Sequence, residues 1–156
     1  MPKPISQLIP DFREALKEGL KDAVGDVVGD LIEEGPYWSG LFAASWMVRT
    51  GRTSIPKVVP RNYPVPRQEQ SGKFVKNLVP TIPENSGLEG YTIGNMTEYR
   101  EYAMDLLPTN KGRQMGYAPN ATADPDWFLR YVHAPIPYVG MGKRIDDTLT
   151  NVFKKY

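Results

Sequence analysis

Between Tyr91 and Leu107 the apolar residues change their spacing, and that one change of period requires a chain that mixes strand with helix. Tyr91 and Ile93 alternate with Thr92 and Gly94, the period of two of a half-buried strand. Asn95, with Glu98 three residues on, fits a capping box, in which two side chains satisfy backbone donors that a new helix leaves unpaired. The helix this predicts would carry Tyr99, Tyr102, Ala103 and Leu106 on one face. Glu98, Arg100, Glu101 and Asp105 would be left to solvent or a partner, and Pro108 would stop it.

The longest apolar stripe lies earlier. Over residues 11–34, Phe12, Ala15, Leu16, Leu20, Ala23, Val24, Val27, Val28, Leu31 and Ile32 recur at steps of three and four, opposite Lys17, Glu18, Lys21, Asp22, Asp26 and Asp30. Gly19, Gly25 and Gly29 each cost roughly 1 kcal/mol relative to alanine in a helix interior, so this helix needs packing to persist. Gly25 and Gly29, four apart, would leave a groove for another backbone. Gly35 and Pro36 end the helix. Ahead of it, residues 1–10 contain Pro2, Pro4 and Pro10 and read as an extended arm.

Ser39 can cap a brief helical turn over residues 41–44, after which Trp46 and Val48 alternate with Met47 and Arg49 as in a strand. Residues 51–90 have little periodicity and are punctuated by proline, which predicts an irregular excursion with edge strands and a hairpin around residues 68–72. A loop of that length usually serves binding or subunit contact. Asp124 and Pro125 open a short helix burying Trp127, Phe128, Tyr131 and Val132. Residues 142–156 close the chain with a helix whose apolar face is Ile145, Leu149, Val152 and Phe153. The fold class expected is α+β: an antiparallel sheet packed by a long N-terminal helix and a C-terminal helix, in one domain spanning residues 1–156.

Chemistry is sparse. The chain of 156 residues has no cysteine, which removes disulfides, thiolate nucleophiles and cysteine zinc sites and fits a reducing cytoplasm. A net charge of +1 gives no bulk attraction to nucleic acid or anionic membrane, and neither a signal sequence nor a spanning apolar run is evident, so a soluble protein is expected. Asp22, Asp26 and Asp30 share a helical face at the spacing of oxygen ligands, but without further ligands they read as a solvated face. Asp146 and Asp147, being adjacent, diverge on a helix. His133 is the only histidine and lacks the partners of a triad or zinc site. Gly140, Gly142 and Lys143 lack the spacing of a phosphate loop, and the sequons at Asn95 and Asn120 are read as chance. No catalytic, cofactor or metal residues are assigned. One cluster stands out: Arg49, Arg52, Lys57, Arg61, Arg67, Lys73 and Lys76 against the single acid Glu69, interleaved with Tyr63 and Phe74.

The order of these features resembles the neck and tail-completion proteins of tailed bacteriophages. Ser39-Gly40-Leu41 leading to Ser45-Trp46 is similar to that family's Thr/Ser-Gly-x-Leu-x-x-Ser-Trp segment after a long helix. Ile93, Asn95, Tyr99 and Tyr102 resemble its strand, asparagine and aromatic helix start, and residues 121–130 its alanine- and proline-rich loop into a terminal helical region. Two features depart from the pattern: Asp105 is followed by Leu106, Leu107 and Pro108 rather than by glycine, and an extra segment, 133–140, precedes the last helix. The resemblance implies a non-enzymatic virion protein, assembled in the host cytoplasm as a ring, hexameric by analogy. Its neighbours would be head-completion or connector proteins and tail-terminator or tail-tube proteins, with genomic DNA passing through. On that reading Trp38, Trp46, Tyr63, Phe74, Tyr99 and Tyr102 are candidate subunit contacts, and Arg52, Lys57, Arg61, Arg67 and Lys73 candidates to face the lumen. Two rivals are a nucleic-acid-binding module using the basic 49–76 arm, and a small hydrolase built on His133 with Asp124 or Asp126.

Overall fold

The computed structural model describes residues 3–35, 41–58, 78–85, 88–98, 100–104, 126–136 and 138–156, and the fold below is that of these residues. Its elements in order are α1 (Ile5–Glu34), α2 (Leu41–Ala44), β1 (Trp46–Thr50), β2 (Tyr91–Asn95), α3 (Arg100–Met104), α4 (Trp127–His133) and α5 (Met141–Phe153). The architecture is α+β: a two-stranded antiparallel sheet with a long N-terminal helix and a C-terminal helix.

Helix α1 begins at Ile5, within the stretch expected to be an extended arm. Pro4 is its N-cap, its carbonyl accepting from the N–H groups of Gln7 (2.9 Å) and Leu8 (3.3 Å). Pro10 lies one and a half turns in, past the first turn, so it gives up the bond to the Ser6 carbonyl and crowds that carbonyl, at a cost of about 3 kcal/mol, and α1 runs on through it. At the other end Gly35 caps α1 by donating its N–H to the Leu31 carbonyl at 3.1 Å. Gly35 is extended (φ −71°, ψ 163°), as a residue before proline must be, rather than left-handed. Its value is space: a Cβ there would meet the Leu31 carbonyl at 2.8 Å, Trp127 at 3.2 Å and Phe42 at 3.3 Å.

The C-terminal half of α1 supplies the floor of the core. Val27, Val28, Leu31 and Ile32 pack with Phe42 and Ala43 of α2, Trp46 and Val48 of β1, Ala103 of α3, and Trp127 and Tyr131 of α4. Phe42 is the hub, edge-on to Trp46 (centroids 5.4 Å apart) and to Trp127 (6.2 Å), the geometry that ring quadrupoles favour. The Trp127 indole N–H donates to the Ala103 carbonyl at 2.9 Å, which ties α4 to α3.

Strands β1 and β2 pair Trp46 with Asn95, Val48 with Ile93 and Thr50 with Tyr91, joining the two ends of the 51–90 excursion. Within the excursion no strand forms among the described residues. Residues 51–58 instead lie back on β2: a Cβ on Gly94 would meet Ile55 Cγ1 at 2.5 Å and its Cβ at 2.9 Å, so glycine at position 94 lets buried Ile55 cover the strand. The expected hairpin at 68–72 lies outside the described residues.

Asn95 proves to be the last residue of β2 rather than the cap of a helix. It is fully buried, its Nδ2 donating to the Phe42 carbonyl (2.7 Å) and its Oδ1 accepting from the Thr97 N–H (3.0 Å) and hydroxyl (2.8 Å). Helix α3 starts five residues later. Arg100, expected to face solvent or a partner, turns inward, its guanidinium donating to the carbonyls of Ile55 (2.8 Å) and Asn95 (2.9 Å). Long stems and five donors let arginine gather carbonyls that no backbone N–H reaches.

Two glycine substitutions separate space from propensity. Gly25→Ala meets only Ile82 Cγ1, at 3.9 Å, and is expected to stabilise by roughly 0.5–1 kcal/mol through helix propensity. Gly94→Ala drives a methyl into the branched Cβ of Ile55 and is expected to destabilise by about 1–3 kcal/mol. Urea unfolding of both variants checks the pair.

Candidate functional site

Helix α5 runs antiparallel along α1, its Arg144 meeting Asp30, Thr148 meeting Asp26 and Phe153 meeting Phe12, with Lys155 and Tyr156, just past its end, meeting Glu18. The acidic stripe of α1, expected to face solvent, is therefore a docking face. Asp30 accepts two bonds from the Arg144 guanidinium, from Nε at 2.8 Å and from Nη2 at 2.7 Å, plus the Tyr131 hydroxyl at 2.6 Å, so one carboxylate joins α1, α4 and α5. A fork of two parallel bonds fixes orientation as well as distance. Asp26 accepts the Thr148 hydroxyl at 2.7 Å. Between these polar contacts Gly19 leaves room for Leu149 and Val152, the nearest being Leu149 Cδ2 at 2.7 Å from where a Cβ would stand. The close approach that glycine permits is thus at Gly19, whereas Gly25 has no atom nearer than 3.9 Å.

This seam holds together and offers little to a substrate. Beside it an open groove of about 480 Å³ is lined by Lys21, Asp22, Asp26, Thr148, Asn151 and Lys155, and a smaller one of about 180 Å³ by Asp30, Val139, Lys143, Arg144 and Asp147. Among the described residues no group of three or more histidine, cysteine, aspartate or glutamate side chains could hold a metal ion. His133 is exposed at the end of α4, and Asp126, at the other end, pairs with Arg130 at 3.7 Å; Asp124 lies outside the described residues. Among the described residues no helix is long and apolar enough to cross a membrane.

Of the candidate contact residues, Trp46 is 3% exposed and belongs to the core, where it packs on Phe42. Trp38, Tyr63, Phe74, Tyr99 and the side chain of Tyr102 lie outside the described residues. Of the candidate lumen residues, Arg52 is exposed, and Lys57 pairs with Glu101 at 3.0 Å. Arg49, in the same cluster, donates to the Ser54 carbonyl at 3.2 Å. Arg61, Arg67 and Lys73 lie outside the described residues.

Among the described residues, exposed large apolar side chains instead gather at the two ends of the α1–α5 pair, with Val58 and Leu129 standing singly elsewhere. At one end Ile5 (76% exposed), Leu8 (48%), Ile9 (68%) and Phe12 (60%) form a stripe on the first turns of α1. Their spacing of three and four residues continues the stripe that starts at Phe12 back into residues 1–10, where Pro2, Pro4 and Pro10 point to an extended arm. Part of the stripe, with Phe153 and Tyr156, walls a groove of about 300 Å³ rimmed by Lys3 and Asp11, which pair at 2.6 Å. At the other end Ile136 (60%), Tyr138 (69%) and Val139 (87%) stand out from the turn before α5.

Comparison with family models, with curated proteins and with solved structures finds no match to this chain.

The Asp30 junction has a pH signature. Burial first, and then the Asp30 carboxylate, push the Tyr131 phenol well above its ordinary range. The folded state therefore holds that proton more tightly than the unfolded chain does. The stabilisation is whole below about pH 10 and is lost as pH rises beyond it. Tyr91 and Tyr156 are raised as well, by burial and by the Glu18 carboxylate respectively. Tyr131→Phe is expected to cost about 1 kcal/mol at neutral pH and to flatten the fall in stability above about pH 10. Urea unfolding from pH 8 to 11 reads both, and parallel curves for the two proteins would contradict it.

Proposed function

We propose that the chain is a structural protein of a tailed-phage virion, forming a ring in the neck that joins the head connector to the tail and lets DNA pass. The observation that carries the reading is the apolar stripe that the described residues leave exposed on the first turns of α1, the kind of patch that marks a contact surface. The order of motifs along the chain supports it, as does a pair of helices fastened by side-chain bonds rather than shaped around a cavity. In this reading the ring is hexameric, its axial neighbours are head-completion or connector proteins on one side and tail-terminator or tail-tube proteins on the other, and the basic 49–76 arm lines the lumen. It performs no reaction.

Particles purified from the source phage test the assignment. The chain is expected in intact virions, labelled by antibody at the junction of head and tail and resolved by cryo-electron microscopy as a closed ring. Its absence from particles would overturn the reading. Tight binding of the free protein to DNA, falling steeply with salt, would favour the nucleic-acid module instead.

A further inference from the structure

The two bare ends of the α1–α5 pair differ in shape. The α1 end is a groove, with Leu8, Phe12, Phe153 and Tyr156 in its walls and Ile5 and Ile9 flanking it. The other end is a knob. Its turn is closed by the Tyr138 N–H on the Pro135 carbonyl (2.8 Å) and seated against α4, since a Cβ on Gly140 would meet Ala134 Cβ at 2.5 Å and the Tyr131 carbonyl at 2.8 Å. Ile136 rests over Gly142, so the knob is held in place while its tip, Val139, is 87% exposed.

Groove and knob cannot meet within one chain. Val139 lines the same small cavity as Asp30, and Asp30 is 18 residues along α1 from Phe12, or about 27 Å at the rise of an α-helix. We propose that the knob formed by Ile136, Tyr138 and Val139 of one copy seats in the Leu8–Phe12–Phe153 groove of the next, a head-to-tail contact between identical chains.

Area and charge both favour a second copy as the occupant. At about 200 Å² per large side chain, the four α1 residues leave roughly 500 Å² bare and the three knob residues roughly 400 Å². The two surfaces match in size, and together they come to about 900 Å², the range of weak contacts that a closed ring makes several times over. The charges at the rims of the two sites are paired within the chain, Lys3 with Asp11 (2.6 Å) and Lys143 with Asp147 (2.7 Å), so closing the contact strands neither pair. A self-matching contact through the groove alone would leave every knob bare. A contact between unlike surfaces covers both and propagates with a fixed rotation, which is how rings close. The inference names the subunit contact for the ring proposed above and rests on that reading for the ring's place in the particle.

The test uses two single variants of the full chain, Leu8→Asp in the groove and Val139→Asp on the knob, both at exposed sites and both checked for native circular dichroism. By size exclusion with light scattering the unaltered chain is expected to self-associate, and each variant alone to lose that association and run as a monomer. An equimolar mixture of the two is expected to form a one-to-one dimer, since one sound groove and one sound knob remain. Because the chain has no cysteine, Leu8→Cys and Tyr138→Cys supply a second readout: a disulfide is expected in the mixture of the two and not within either variant alone. Val139→Asp associating like the unaltered chain, a mixture that stays monomeric, or a disulfide between two Leu8→Cys chains would each overturn the contact. So would an unaltered chain that stays monomeric at about 0.5 mM, even if virions contain it. Self-association with absence from particles would keep the contact and remove the neck assignment.

Discussion

Helix α1 has 30 residues and the helix laid along it has 13, and most of the molecule follows from that mismatch. At the rise of an α-helix these are lengths of about 45 Å and about 20 Å, so α5 can cover less than half of α1. The remainder is divided unequally. The C-terminal half of α1 is closed over by α2, β1, α3 and α4, which meet on Phe42 and Trp127, while the first two turns extend past the end of α5 with their apolar residues bare.

Specificity in the helix pair comes from a few polar groups rather than from a continuous greasy seam. The Asp30 carboxylate takes three donors from two other elements, and its removal would leave a guanidinium and a buried hydroxyl without their acceptor. Together with the Asp26–Thr148 bond it sets the register of α5, and the register in turn decides that the turn at 135–138 projects at one end and Phe153 shelves Phe12 at the other. The same polar contacts that build the monomer thus aim its two uncovered surfaces.

Much of this is legible in the residues. The alternation in Trp46–Thr50 and Tyr91–Asn95, the three/four stripes of α1 and α5, and the apolar cluster around Trp127 specify elements and class because burial on one face leaves a periodic trace. What periodicity does not encode is which polar face will meet a partner. Asp22, Asp26 and Asp30 have the spacing of a solvated stripe, and only the path of α5 turns two of them into acceptors. Asn95 departs from the expected capping role for a related reason: asparagine caps helices and closes turns with the same short amide, and here Phe42, distant in sequence, claims the donor. The prolines of residues 1–10 point to an extended arm, yet α1 runs through Pro10 with the apolar stripe in step on both sides. The aromatic and basic residues expected to make contacts mostly lie outside the described residues, and of the two apolar ends that are described, the one on α1 is signalled by Ile5, Leu8, Ile9 and Phe12 keeping step with the rest of the helix.

The account turns on whether the first turns of α1 need a second chain to hold them. Amide hydrogen exchange across a range of protein concentrations measures this residue by residue. The amides of the Val27–Ile32 region, sealed in the core, should exchange slowly and independently of concentration, while those of residues 9 and 11–13 should go from fast exchange in dilute solution to slow exchange as concentration rises. Protection over 9–13 that is already as high as in the core at the lowest concentration, and does not change, would contradict it.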